Sequence, residues 1–348
     1  MANTVKTPRF YVDAFEFYRA IGIVDKVNYD TGDGMFGLNP SRQYELTPTY
    51  FSANVYKTFR NWGFPAGSIP KINYVAVLGH NFGDFAEGGF RMRLDLADDD
   101  TYFSHPSDYE IINANYDNNF IAEYNGFSII KVDEPTEPEG ADEITIRFQV
   151  DTEDTIKVSA VSAGYFFDMP NAPNLSLTMS RQYGSAKEFT THNGSSVSNT
   201  MESKPKWGDL GAWELASTNV EYPNQLLSDN SRRIFKLTFS YMDDGTLFGS
   251  NQMLSLDTLT NEISGLTFDD SDLNDDGNFN YNLLTDDSFF SQVWQKTLGG
   301  SLPMIMQIDN TNNSPNQFVL CRIKENSLKV TQSAFNVYDI SLTIEEIW

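Results

Sequence analysis

The chain has 348 residues, 48 acidic against 24 basic side chains and a formal charge of −24, with a pI near 4.3. That excess of negative charge excludes a duplex-binding protein, because each phosphate contact needs a Lys or Arg and the net field repels polyanions. Hydrophobic residues at 40% and aromatics at 14% exclude a disordered acidic chain, and one cysteine, Cys321, excludes an intramolecular disulfide or a multi-cysteine metal site.

The length suits two domains better than one, since single cores stop growing at roughly 250–300 residues. Met1–Pro8 lacks the apolar stretch of a secretory signal. No window approaches ~18 uninterrupted apolar residues, so no membrane insertion is expected. The first periodic stretch, Val12–Ile21, places Phe15, Tyr18 and Ile21 at helical spacing, although Phe17 and Gly22 suit a strand nearly as well. Tyr74–Leu78 is a continuous apolar run closed by Gly79, the pattern of a strand buried on both faces. Phe90, Met92 and Leu94 then alternate with Arg91, Arg93 and Asp95, the period of a half-solvated strand. The alternation returns at Ile144, Ile146, Phe148 and Val150, and at Ile156 and Val158. The acidic run Asp133–Gly140 reads as a surface loop.

Two prolines among turn formers in Asp168–Asn174 mark a boundary between about 165 and 185. The polar segment Thr190–Ser203 reads as a long exposed loop or a weak hairpin. Strand signals resume at Ile234, Leu237 and Phe239, at Met304, Met306 and Ile308, at Phe318 and Leu320, and at Ile340, Leu342 and Ile344. Between them lies one helix, capped by Asp287 or Ser288, with Phe290, Val293, Trp294 and Thr297 on one face and Gly299-Gly300 at its end. The last strand runs to the terminus and is expected inside a sheet, since an unpaired terminal strand frays. No internal repeat is evident. The chain is therefore read as mainly β: a jelly-roll β-sandwich followed by a second β-domain that carries one helix.

Chemistry-bearing motifs are sparse. His80, His105 and His192 have no partner at i+3 or i+4, so no helical zinc pair exists, and no nucleophile elbow is present. His80 reads best as a residue that bonds the turn after its strand. Asp272–Asn278 opens like a calcium loop, but its twelfth position is Leu283 rather than a carboxylate, so it reads as an acidic turn without metal. Carboxylate runs at Asp98–Asp100 and Asp243-Asp244 serve a glycosidase only at a set separation across a cleft, and in so acidic a chain they read as surface charge. Gly299-Gly300-Ser301 follows a helix instead of opening one, the wrong polarity for a phosphate cradle. No cofactor or metal is expected, and the chain is not read as an enzyme. Trp207, Trp213, Trp294 and Trp348 suit core packing and surfaces that bury against neighbouring subunits.

Ile72–Phe82, Ile144–Phe148 and Ile156–Gly164 together resemble the galactose-binding-like jelly rolls of bacteriophage virion proteins, in which a buried strand ends in a Gly-His-Asn turn, here Gly79-His80-Asn81. This resemblance covers residues 35–168. Ser231–Ser240, Phe289–Gly300, Leu302–Gln307, Gln317–Arg322 and Tyr338–Trp348 are similar to virion proteins of tailed phages, in particular the minor tail and distal tail family, and cover residues 169–348. Residues 1–34 are left as an N-terminal arm. The order differs from the plainest distal tail pattern, with the jelly roll first. The resemblance implies a ring-forming tail or baseplate protein, assembled in the host cytoplasm and resident in the virion. It would contact copies of itself, as a hexamer or trimer, and other phage tail proteins. Phe289, Trp294, Ile344 and Trp348 are the candidate oligomer-interface residues. The alternative is a carbohydrate-binding module of a fibre or adhesion protein, with host glycan bound by Trp62, His80, Asn81 and Tyr102.

Overall fold

The computed structural model describes residues 6–22, 33–46, 54–60, 72–86, 88–96, 99–102, 109–117, 119–136, 141–150, 154–182, 187–199, 206–216, 231–248 and 287–347. The architecture is mainly β, as the periodicities indicate. In the first half the main elements are β1 (Arg9–Asp13), α1 (Ala14–Ala20), β2 (Asn54–Arg60), β3 (Ile72–His80), β4 (Gly89–Leu96), β5 (Tyr109–Ile112), β6 (Asn119–Ala122), β7 (Gly126–Thr136), β8 (Ala141–Gln149) and β9 (Ala160–Asp168), beside the short strands Tyr44–Leu46, Asp99–Tyr102, Ala114–Asp117 and Ile156–Val158. From β2 onward the numbered strands alternate between two sheets. The order β2-β8-β4-β6 forms one, and β9-β3-β7-β5 lies in the other. This alternation is that of a jelly roll. Val75, Val77, Ile130, Val132 and Val161 meet Phe90, Phe120, Ile146 and Phe148 between the layers. Each such side chain contributes roughly 1.5–3 kcal/mol by leaving water.

The second half supplies β10 (Thr178–Gln182), β11 (Arg232–Asp243), α2 (Asp244–Phe248), β12 (Met304–Gln307), β13 (Phe318–Ile323), β14 (Val330–Ala334) and β15 (Val337–Glu346). These strands do not form a separate sheet. One 11-stranded antiparallel sheet runs β10-β11-β15-β13-β12-β1-β9-β3-β7-β5, with β14 beside β15. Its middle strand is β1, paired to β9 through Tyr11↔Phe166 and to β12 through Tyr11↔Ile305. Residues 9–13 of the expected arm are thus the seam of the sheet, and the expected boundary after residue 168 falls between strands that share it. All five residues of β1 are buried. Arg9 is no obstacle, because its guanidinium grips the Asp168 carboxylate at 2.7 Å through both Nε and Nη2 and lies 3.9 Å from the Phe166 ring centroid.

On one face of the second half, Phe10, Phe167, Phe235, Leu237, Phe239, Met304, Met306, Val319, Leu342 and Ile344 pack with Phe289, Val293 and Leu247. The expected helix is present, wound as a π-helix over Phe290–Gln295. The Ser288 hydroxyl accepts the Ser291 amide at 3.2 Å, and Gly299 and Gly300 take φ of +67° and +84°. A Cβ at Gly300 would meet the Ile323 side chain and carbonyl, so this chain reversal needs glycine. The buried row of β11 is Phe235, Leu237 and Phe239; Ile234, expected with them, is half-buried opposite Glu345. The core-facing residue that hid this parity is Arg233, whose guanidinium is buried against Glu346 at 3.1 Å and donates to the carbonyls of Asn316 and Phe318 at 2.7 Å each. The last strand lies inside the sheet, between β11 and β13, as expected.

Candidate functional site

Of the residues expected to bind sugar, the two whose side chains are described, His80 and Asn81, bond within the chain. Trp62 lies outside the described residues, as does the side chain of Tyr102, whose backbone pairs with Arg93. His80 is buried and stacked on Phe82, ring centroids 4.5 Å apart. Its Nδ1 accepts the Phe82 amide at 3.3 Å, which leaves Nε2 to donate to the Ser128 hydroxyl at 2.8 Å. Burial pushes its pKa down to about 3, so the ring is neutral and its polar atoms are engaged. Asn81 joins the end of β3 to residues 155–157: Nδ2 donates to the Thr155 carbonyl at 3.1 Å and Oδ1 accepts the Lys157 amide at 2.8 Å. His80 therefore has the turn-bonding role read for it, and Asn81 shares it.

The expected interface residues need correction. Phe289 and Ile344 are fully buried in the chain's own core, which withdraws them from any subunit contact. Trp294 is half-buried against that core, and Trp348 lies outside the described residues, as does the acidic loop Asp272–Asn278. Asp244, read as surface charge, is buried, while Asp243 caps the turn at Thr246, accepting from its amide at 2.8 Å and its hydroxyl at 2.6 Å.

Sequence reasoning missed a buried polar row across the sheet. Register places Asp13, Gly164, Tyr74 and Lys131 side by side on β1, β9, β3 and β7. Gly164 is required there, since a Cβ would overlap the Val12 carbonyl oxygen. Tyr74 bonds the Ser162 hydroxyl at 2.8 Å, while Tyr11, 5.0 Å away ring to ring, donates to Gln307 Oε1 at 2.6 Å. Gln307 Nε2 and Lys131 Nζ both donate to Asn313 Oδ1, at 3.1 and 3.2 Å. Asp13 Oδ1 caps α1 through the Glu16 amide at 2.7 Å, and Oδ2 has no partner of hydrogen-bonding geometry among the described residues. Burial raises the Asp13 carboxyl to about 7 against the Glu16 and Ala163 amides and the Ser162 hydroxyl. Around the same face Trp207 and Trp213 pack edge to face at 4.5 Å over Phe127 and Phe318. The row is sealed within the protein and ties its two halves together.

The surface offers a different feature at the other end of the sheet. Ile323, Ile344, Phe235 and Met179 lie in one register row on β13, β15, β11 and β10. The first three are buried and Met179, on the edge strand, is 47% exposed. Every residue of β10 is exposed. The chain before it is anchored, with the Asn174 amide on the Thr238 carbonyl at 2.8 Å and Asn174 Nδ2 on the Ser240 hydroxyl at 2.9 Å. Leu175 beside it is 86% exposed. After β10 comes a two-stranded hairpin, Lys187–Thr190 with Ser196–Asn199, that pairs with no other described strand. Gly194 at φ +78° and the Thr191 hydroxyl, which accepts the Ser195 amide at 3.1 Å, close its loop. Phe189 and Val197 face each other across it, 59% and 52% exposed. Of the two readings of Thr190–Ser203, exposed loop or weak hairpin, the structure has the hairpin, beginning at Lys187.

Comparison with protein-family models, curated proteins and solved structures finds no match to this chain.

Proposed function

We propose that the chain is a structural component of a tailed phage virion, a ring-forming tail or baseplate protein that works by subunit association rather than by catalysis. The observation that carries this reading is the concentration of large exposed apolar side chains between 175 and 197, on an edge strand and a hairpin: Leu175, Leu177, Met179, Phe189 and Val197. Scattered exposed apolar residues are ordinary, whereas a row that continues a core to a sheet edge suits burial against another chain. The sequence resemblance of both halves to phage virion proteins supports the same assignment. Asp13 and His80, whose pKa values burial moves strongly, support it too, since both are engaged in holding the fold. The alternative of sugar binding draws no support from His80 and Asn81, whose polar atoms bond within the chain.

Two measurements test this together. Light scattering of the purified chain should give a mass above that of the 39.3 kDa protomer. Mass spectrometry of virions purified from infected cells should detect its peptides in fixed stoichiometry. A monomer in solution that is also missing from purified particles overturns the reading.

A further inference from the structure

We infer that Lys131 and Asn313 are the partners of an intramolecular isopeptide bond, the amine of Lys131 condensing with the side-chain amide of Asn313 and tying the two halves of the sheet together covalently. This is independent of the assembly reading above, since it concerns one chain alone.

The reacting groups are already side by side. Lys131, on β7, is 1% exposed, and its Nζ lies 3.2 Å from Oδ1 of Asn313, on the loop from β12 to β13. Gln307 Nε2 donates to the same oxygen at 3.1 Å. An amide nitrogen can only donate, so Asn313 must turn its carbonyl oxygen toward this corner and its NH2 group away from it. The orientation of Gln307 is settled in turn by the Tyr11 hydroxyl, which donates to its Oε1 at 2.6 Å, and by the Asn312 carbonyl, which accepts from its Nε2 at 2.8 Å. Asn313 Cγ is one C=O bond, about 1.2 Å, from the contacted oxygen. A tilt of the side chain therefore brings the carbon itself to the ~3–3.5 Å of a near-attack contact.

The chemistry balances within the pair. The neutral amine is the nucleophile, and desolvation favours that form in a lysine removed from water. Its lone pair forms the new C–N bond at Cγ while the carbonyl π electrons move onto Oδ1, where the Gln307 N–H already points. Collapse of this adduct breaks the old C–N bond, and the amide nitrogen leaves as ammonia with a proton that the amine gives up. No oxidant, metal or second substrate enters. The register supplies a place for a proton carrier, since β5 sets an acidic residue, Glu110, opposite Lys131. Asn313 is half-buried, which gives the ammonia a route to solvent. The bond joins residues 182 positions apart, and closing so long a loop restricts the unfolded chain strongly.

The test is mass spectrometry of the full-length chain, purified, held at neutral pH and then denatured. Its mass should fall short of the sequence mass by one molecule of ammonia. Trypsin should leave Leu94–Arg147 uncut after Lys131 and joined to Thr297–Arg322. Lys131→Met and Asn313→Ala chains should each keep their full sequence mass and show no joined peptide. A native-sequence chain at full mass, with residues 131 and 313 in separate peptides, refutes the bond, and this result needs neither variant to fold. Asn125-Gly126 and Asn193-Gly194 would lose the same mass by closing to succinimides. A deficit that maps to either of those pairs and disappears with hydroxylamine, with no joined peptide, refutes the bond as well.

Discussion

Replacing Asp13 with asparagine should stabilise the protein at alkaline pH and leave it little changed in mild acid. The carboxyl sits at the end of the seam strand, with its folded pKa raised from 3.8 to about 7, chiefly by burial. The groups facing it are the Glu16 amide and carboxyl on α1, Tyr74 on β3, and the Ser162 hydroxyl and Ala163 amide on β9. Between the two pKa values the unfolded chain has released a proton that the folded chain still holds. Stability therefore falls as pH rises, by up to about 1.4 kcal/mol per unit, and levels off above the folded pKa. A shift of this size places the full cost of ionised Asp13 near 4 kcal/mol, roughly 2 kcal/mol of which accrues between about pH 5.5 and about pH 8. Asparagine keeps an oxygen for the Glu16 amide and has no charge to desolvate. Its NH2 group would face the Ala163 amide, a mismatch of about 1–2 kcal/mol that is independent of pH. The expected gain over the native residue is thus about 2–3 kcal/mol at pH 8 and close to nothing at pH 5.5. Urea midpoints at the two pH values read this directly, and the lower value stays clear of the pI near 4.3. The general self-repulsion of the acidic surface cancels in the difference between the two proteins. An Asn-minus-Asp difference that is the same at both pH values would refute the account.

Removing one partner of the buried Arg233–Glu346 pair, as in Glu346→Ala, should cost about 3–5 kcal/mol, because it leaves the other charge buried; thermal or urea unfolding measures it. Gly164→Ala should destabilise by about 3 kcal/mol or more by driving a methyl group into the Val12 carbonyl, separating β1 from β9 and giving a clear drop in urea midpoint. Cys321 is fully buried, its thiol pushed up by burial and by Glu346, so a thiol reagent should modify it only as fast as the chain opens, and rapid labelling of the native protein would contradict the packing.

Strands whose cores are purely apolar were legible in the sequence. Tyr74–Leu78 reads as buried on both faces and is so, because jelly-roll packing covers one side and Trp207 and Trp213 the other. The helix ending at Gly299-Gly300 was legible from its caps, although its π winding was not. What escaped were places where a polar residue holds a core position. Arg9 and Asp13 bracket β1 and make a central strand look like the margin of an arm. Arg233 inverts the apparent parity of β11, so that Ile234 is taken for a core residue. For the two arginines the cost of burial is met by a partner distant in sequence, Asp168 for Arg9 and Glu346 for Arg233, which local patterning does not register. The interface residues were misjudged for a related reason. Large apolar side chains near the chain end, Phe289 and Ile344, were assigned to a partner when the sheet itself supplies their cover. The hairpin was legible only as one of two readings, and the strand Thr178–Gln182 was not read at all, because few apolar residues among many Ser, Thr and Asn look like a solvated loop.

The seam has a consequence for how the molecule bears load. A two-domain protein joined by a linker yields at the linker, since interdomain contacts are small. Here a strand from the start of the chain is bonded on one side to β9 and on the other to β12, so one hydrogen-bonded sheet crosses the midpoint. The Arg9–Asp168 pair and the Tyr11–Gln307–Asn313–Lys131 chain of bonds reinforce that crossing with side chains from both halves. Separating the halves exposes the polar row as well as the apolar faces and breaks the ladders on both sides of β1, so the barrier resembles that of opening a core. The assembly role proposed above would draw on this, because force entering at one sheet edge is carried along the strand pairs to the other.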